Sequence, residues 1–378
     1  MKLNKNKGIT LIALIITIII LLILAGISIS ALTQTGLFSR AKQAEQLSKE
    51  KQEEENATLG TYENEIDKYL GENNVETPSK PKEKTLADMV KDGTIKIGDY
   101  VKYTPDTVTS TDKSYTDLLS NLGTYSGSSD NTASTLTQEK LNWRVLDATD
   151  DGQVRLISDK TTSSKLTLKG HNGYNNAVKL LDDTCSTLYT NKQLANKVQN
   201  LKIEDITIHM KTQPTLDTTL YHPTNIYYPK ITEYEEKQTV EKSTTENKID
   251  VSSQQNGFVT GSDISTTSSL TTTYWYKTMT EGDFLNSIYY NLFINNGNNY
   301  ETYWMSSRCI KALSDIAGFD IRAILSGAVG GSGLYGSNGN DIPHDYAFRP
   351  VITLNSNVQI DTANSGDGSK AAQGYAIK

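Results

Sequence analysis

Residues 9–29 read Ile9-Thr10-Leu11-Ile12-Ala13-Leu14-Ile15-Ile16-Thr17-Ile18-Ile19-Ile20-Leu21-Leu22-Ile23-Leu24-Ala25-Gly26-Ile27-Ser28-Ile29. No side chain in this run is charged, and only Thr10, Thr17 and Ser28 are polar. At about 1.5 Å of rise per residue, a helix of this length spans about 31 Å, close to the hydrocarbon thickness of a bilayer. The reading is one membrane-crossing helix over residues 9–32. Lys2, Lys5 and Lys7 stand on its amino side, while Ser30, Ala31, Thr33 and Gln34 open its carboxyl side, so the lysine bias holds the N-terminus in the cytoplasm. The chain is therefore expected at the cell membrane as a single-pass protein, with everything after Leu32 at the cell surface. A cleaved secretory signal peptide is the competing reading. Its apolar core usually runs about 7 to 15 residues, shorter than this one, although the Ser28-Ile29-Ser30-Ala31 string would suit an ordinary signal peptidase.

Working outward, residues 33–70 are rich in Ala, Leu, Glu, Lys and Gln, lack proline, and place Leu37, Phe38, Ala41, Ala44 and Leu47 at spacings of three and four. That pattern predicts a soluble helical stalk continuing the membrane segment. Residues 71–85, with Pro78, Pro81 and alternating charges, read as a linker. Residues 86–378 are long enough for one large extracellular head with a sizeable core. The fold class expected is α+β: a long N-terminal helix, its first half in the membrane, followed by a mainly antiparallel, β-rich globular head. With 21 tyrosines, many threonines and asparagines, and only 36% hydrophobic residues, the composition favours strands and polar turns.

Within the head, Ile97-Gly98-Asp99-Tyr100-Val101-Lys102-Tyr103 alternates as an opening strand. Residues 106–139 read as a polar exposed loop. Leu141-Asn142-Trp143-Arg144-Val145-Leu146 and Gln153-Val154-Arg155-Leu156-Ile157-Ser158 flank Asp150-Asp151-Gly152 and predict a hairpin. Helical stretches are expected over residues 176–188 and 191–202. The run 262–273 suits either a strand pair or a low-complexity loop. Ser326-Gly327-Ala328-Val329-Gly330-Gly331-Ser332-Gly333-Leu334-Tyr335-Gly336, lacking a following GK[ST], reads as a mobile surface loop rather than a phosphate cradle. Residues 295–303, with Tyr289 and Tyr290 before them, offer aromatic and amide groups suited to carbohydrate or protein surfaces.

The formal charge is −7, and loss of Lys2, Lys5 and Lys7 would take it to −10; with no basic stripe beyond the N-terminus, nucleic acid is not an expected partner. Cys185 and Cys309 lie in the external part, where a disulfide can persist; two free, buried thiols is the equal alternative. No CxxC or Cys/His spacing points to a metal, and no cofactor is implied. His171, His209, His222 and His344 are isolated and no GxSxG or HExxH occurs, so no enzymatic activity is expected.

Lys7-Gly8-Ile9-Thr10-Leu11-Ile12-Ala13-Leu14 resembles the leader junction of type IV prepilins and type II secretion pseudopilins. The resemblance implies a leader of residues 1–8, cleavage between Gly8 and Ile9 by a prepilin peptidase, and methylation of the new N-terminus at Ile9. It implies other pilin-like subunits as partners beside the lipid bilayer. One position departs from the family: the fifth mature residue, usually a glutamate thought to pair with a neighbouring subunit, is Ala13. Its loss points to a minor, tip or non-polymerising subunit. In the head, Tyr303-Trp304-Met305-Ser306-Ser307-Arg308 followed by Phe348-Arg349-Pro350-Val351 is similar to an uncharacterised module of bacterial surface proteins with YWLRS and RPV elements, and loosely to C-type-lectin-like domains. Tyr303, Trp304, Arg308 and Arg349 are the ligand-patch candidates this suggests. The default reading of Trp304, Arg308 and Arg349 is structural, a core tryptophan and arginines that tie loops to backbone carbonyls, with ligand contact the alternative. Two functions follow: a minor or tip pilin-like subunit with an adhesin-like head, or a non-assembling membrane-tethered module binding a glycan or protein ligand.

Overall fold

A computed structural model describes residues 84–212, 254–255, 257–259, 271–273, 275–296, 299–312, 317–336 and 340–378. Helix α1 (Leu86–Lys91), strand β1 (Tyr100–Lys102) and helix α2 (Lys113–Tyr125) lead to the hairpin of β2 (Trp143–Ala148) and β3 (Val154–Ser158). Strand β4 (Lys165–Lys169) runs into α3 (Gly170–Tyr189), followed by β5 (Ala195–Asn200) and α4 (Ile203–Thr207). Short strands β6 (Gln254–Gln255), β7 (Phe258–Val259), β8 (Thr271–Thr273) and β9 (Lys277–Thr278) precede α5 (Ile288–Phe293) and the pair β10 (Asn295–Asn296) and β11 (Asn299–Tyr300). The chain closes with β12 (Thr302–Ala312), β13 (Ala317–Leu325), β14 (Ala328–Gly336), β15 (Pro343–Ala347), β16 (Pro350–Leu354) and β17 (Tyr375–Ala376).

Two mixed but mainly antiparallel sheets organise the unit Glu83–Lys378. The first has six strands in the order β17-β1-β2-β3-β16-β5, and the second runs β4-β15-β12-β13-β14-β9 with β8 alongside β12. Alternation along each strand feeds two cores. Val145, Trp304, Ile321 and Ile352 join one cluster with Leu180, Leu181 and Leu188 of α3. Their neighbours Leu146, Tyr303, Met305, Ile324 and Val351 join another with Leu292 and Phe293 of α5. Sheets covered on both faces explain strands such as Leu156-Ile157 that read as continuous apolar runs.

The chain crosses between the sheets at two adjacent places. It leaves β3 for β4 through residues 159–164, and leaves β15 for β16 through Phe348-Arg349. The crossings are bonded together: Thr162 N–H donates to Phe348 O at 3.1 Å, and Phe348 N–H donates to Thr162 Oγ1 at 3.1 Å.

Several sequence expectations need correction. The leader, membrane helix, stalk and nearly all of the linker fall on residues 1–83, outside the described residues. A long N-terminal helix carrying an α+β head is not what the described residues form: they are mainly β sheet, the helices are few, the longest is α3 at 20 residues, and none is long and apolar enough to cross a membrane. In the described strands such as β2, β3, β4 and β16, apolar side chains bury against sheet neighbours, which is why sheet dominates. Residues 195–200 are not helical but form edge strand β5, because pairing with β16 from Pro350↔Asn200 to Leu354↔Ala195 supplies their backbone partners. The polar stretch after residue 106 holds helix α2, whose Tyr115, Leu118 and Leu122 are buried. The glycine-rich run is strand β14, inside the second sheet and paired with β13 over eight residue positions. Its glycines make room: a Cβ on Gly331 would lie 2.8 Å from Cys309 Sγ. The Asp150-Asp151-Gly152 hairpin forms as expected, with Gly152 at φ +79°.

Candidate functional site

Strand β4 begins Lys165-Leu166-Thr167-Leu168-Lys169, an alternation that buries Leu166 and Leu168 completely and turns Thr167 to the other face. β4 is the edge of the second sheet, and an open edge invites unwanted pairing. Here it is closed by side chains. Asn131 accepts from Thr167 N–H at 2.8 Å through Oδ1 and donates to Thr167 O at 2.9 Å through Nδ2, as a neighbouring strand would. Ser126 O accepts from Lys169 N–H at 2.9 Å.

Between this edge and the loop of residues 130–137 lies an open groove of about 680 Å³. Six hydroxyls line it: Ser134, Thr135, Thr137, Ser163, Ser164 and Thr167. Asp130, Lys165, His344 and Asp345 add charge and an imidazole, the last two from β15, which pairs with β4 in the register Thr167↔Asp345. Thr167 Oγ1 donates to Asp345 Oδ1 at 3.4 Å, and Lys165 Nζ lies 3.7 Å from Asp345 Oδ2.

The walls are held from behind. Glu139 accepts from Ser163 N–H at 2.8 Å, Ser163 Oγ–H at 2.6 Å and Ser164 N–H at 2.7 Å. Burial would push its carboxyl pKa up, but these hydrogen bonds from Ser163 and Ser164 outweigh that and hold it below the ordinary value. Ser164 Oγ also accepts from Thr137 N–H at 3.2 Å, joining the two sides of the groove. Beneath β15, the Trp304 ring lies 4.5 Å from that of Tyr346 and 6.4 Å from that of His344, with its Nε1–H donating to Leu166 O at 2.8 Å. The groove is thus a rigid, polar surface whose hydroxyls both donate and accept.

The ligand-patch candidates are elsewhere. Tyr303, Trp304, Arg308 and Arg349 are 1%, 0%, 4% and 2% exposed, so they face the interior and form no surface patch. A guanidinium stays buried only where its donors are met, and both arginines meet carbonyls. Arg308 Nη1 donates to Asn175 O at 3.3 Å over the Tyr174 ring, with burial drawing its pKa down. Arg349 donates to Ser158 O at 3.2 Å from Nε and 3.0 Å from Nη2, to Asp159 O at 3.2 Å and to Phe293 O at 3.4 Å. Tyr303 Oη–H donates to Phe293 O at 2.7 Å. Cys185 and Cys309 form no disulfide; both are buried free thiols. Gly8, Ile9 and Ala13 lie outside the described residues.

A second polar cluster binds elements together. Arg155 on β3 sits between Asp147 on β2 and Asp205 on α4, and His209 stacks on Tyr289 with centroids 3.6 Å apart and Nε2 3.7 Å from Asp147 Oδ2. Among the described residues, no group of three or more His, Cys, Asp or Glu side chains is placed to hold a metal ion. Sequence reasoning missed Lys165, His344 and Asp345 as neighbours. Lys165-Leu166-Thr167-Leu168-Lys169 alternates over only five residues and carried no expectation, and β15, some 178 positions on, and the loop of residues 130–137 are brought to it only by folding.

Comparison with protein-family models, with curated proteins and with solved structures finds no match to this chain.

Proposed function

We propose that this chain is a membrane-anchored surface protein of the pilin or pseudopilin type, a minor or tip subunit whose head binds a glycan in the β4–β15 groove. The observation that carries the binding role is the hydroxyl lining of that groove, held rigid by Glu139, Asn131 and Trp304. A saccharide offers alternating donors and acceptors, and fixed hydroxyls, one ammonium and two carboxylates are suited to meet them at little ordering cost. Surface display is supported by the apolar run of residues 9–29 with its lysine bias, and by the Lys7-Gly8-Ile9 junction. Ala13 favours a second reading, a tethered module that binds ligand without assembling. Removing a carboxylate from hydrocarbon takes away both a cost and a pairing contact.

The test has two arms. Mass spectrometry of the native membrane fraction should find a chain beginning at methylated Ile9; a chain beginning at Met1 or near Ala31 would refute the processing. A glycan array probed with the full chain in detergent should give signals that Thr167→Val and Ser164→Ala weaken. An array that stays blank, or signals indifferent to both substitutions, would refute the groove.

A further inference from the structure

The hairpin joining β13 to β14 turns through Ser326-Gly327, both at positive φ, +48° and +98°. Such a two-residue turn matches the twist of its strands and favours glycine at its second position. Here glycine has a second cause. A Cβ on Gly327 would lie 2.8 Å from Cδ1 and 3.0 Å from Cε1 of Tyr300, so the tyrosine ring is seated on the bare backbone of the turn. The outer end of that ring is also held, since its hydroxyl lies 3.3 Å from the hydroxyl of buried Tyr290. Yet Tyr300 is 53% exposed.

Two hydroxyls stand near it. Thr302 Oγ1 and Ser326 Oγ lie 3.3 Å apart, one two residues along from Tyr300 and the other next to Gly327. Tyr276 repeats the arrangement on the same hairpin: 51% exposed, with Cδ2 2.9 Å from where a Gly330 Cβ would stand. A tyrosine fixed at both ends and left half in water presents a flat apolar face at small ordering cost. Its best-matched ligand has one apolar face and a rim of hydroxyls, which describes a pyranose ring. A nucleobase would also stack, but the net charge of −7 opposes its phosphates.

We propose that Tyr300, seated on Gly327, is the stacking platform of a second saccharide subsite, taking a terminal pyranose with the hydroxyls of Thr302 and Ser326 at its edge. It shares no residue with the β4–β15 groove and stands or falls separately from it.

Saturation-transfer NMR on the full chain in detergent, titrated with lactose, maltotriose and chitotriose, tests this. At least one sugar should receive saturation at its pyranose C–H protons. Tyr300→Ala should weaken that sugar's binding by about tenfold and Tyr300→Trp should retain it, both compared in a Thr167→Val, Ser164→Ala background that removes the groove's contribution. No transfer to any of the three sugars overturns the proposal. So does binding that survives Tyr300→Ala in that background. Should Tyr300→Ala unfold, Tyr300→Trp carries the test, because the emission of its indole must shift with sugar, and a constant emission overturns the assignment.

Discussion

Arg349 is the side chain whose removal should reveal most about how the two sheets are joined. Its guanidinium reaches Ser158 O, Asp159 O and Phe293 O, so one residue at the β15–β16 crossing holds the β3–β4 crossing and the end of α5. Arg349→Met keeps much of the apolar stem and removes every donor. Three carbonyls then lose a donor in the interior, where an unmet polar group costs about 1–3 kcal/mol, although Phe293 O keeps Tyr303 Oη–H. The Phe293 bond at 3.4 Å is long and counts least. Loss of the buried charge returns part of the cost through relief of its desolvation. The balance is a destabilisation of about 3 kcal/mol, or roughly 6 °C in Tm for a unit of this size. Trp143, Trp275 and Trp304 are all buried, so their emission reports unfolding in a thermal or urea titration. Arg349→Lys should recover less than half of the loss, since one ammonium cannot span three carbonyls. A Tm for Arg349→Met within 1 °C of the parent would refute the reasoning, because the guanidinium bonds would then return no more than burying the charge costs.

Other outcomes follow from the same structure. Gly331→Val should cost about 1–3 kcal/mol, because its side chain meets Cys309 Sγ and Asp320 Cβ, whereas Gly123→Ala on exposed α2 should gain about 0.5–1 kcal/mol; calorimetric Tm values decide both. Asp147 is pushed up by burial but drawn further down by the Arg155 guanidinium and His209, so its folded pKa lies below the ordinary 3.8. The stability it contributes is complete above that value and is lost as pH falls through the folded one, and Asp147→Asn should flatten this acid limb in urea midpoints measured against pH. Asp182 runs the other way: burial raises its folded pKa above 3.8, so its contribution declines as pH climbs through the raised value, and Asp182→Asn should remove that decline. Cys185, buried and with its thiol pKa pushed well up, and Cys309 should resist thiol reagents in the native protein and both react once the chain is unfolded in guanidinium; rapid native labelling would contradict their burial.

The elements legible in the sequence are those whose cause is local. The β2–β3 hairpin was readable because Asp150-Asp151-Gly152 carries its own turn chemistry, down to the positive φ of Gly152. The middle of α3 was readable from its apolar spacing, although the helix starts six residues earlier than expected, at Gly170. β5 was misread as helix because residues 195–200 have no pattern of their own that overrules one, and only the β16 ladder makes them a strand. The glycine-rich run was misread as a loop for the opposite reason. Glycine signals a turn when viewed locally, but β14 uses it for the close approach of Cys309 and Tyr276.

The site divides in the same way. No strand was expected at residues 165–169, and the groove needs Glu139, the loop of residues 130–137 and β15 beside β4. Trp304, Arg308 and Arg349 stood out in the sequence, but as residues of the interior rather than of a surface.

By itself, then, the sequence determined what a few neighbouring residues can settle: the uncharged run of residues 9–29, the acidic charge, the hairpin turn and the two-faced strands. Tertiary structure alone decided which polar groups go inside and which meet at the surface. Arg349 finds Ser158 across 191 positions, and Trp304 finds Leu166 across 138. The physical reason is the cost of leaving a buried donor or acceptor unmet, which is counted over the whole fold and cannot be read from any one segment of the chain.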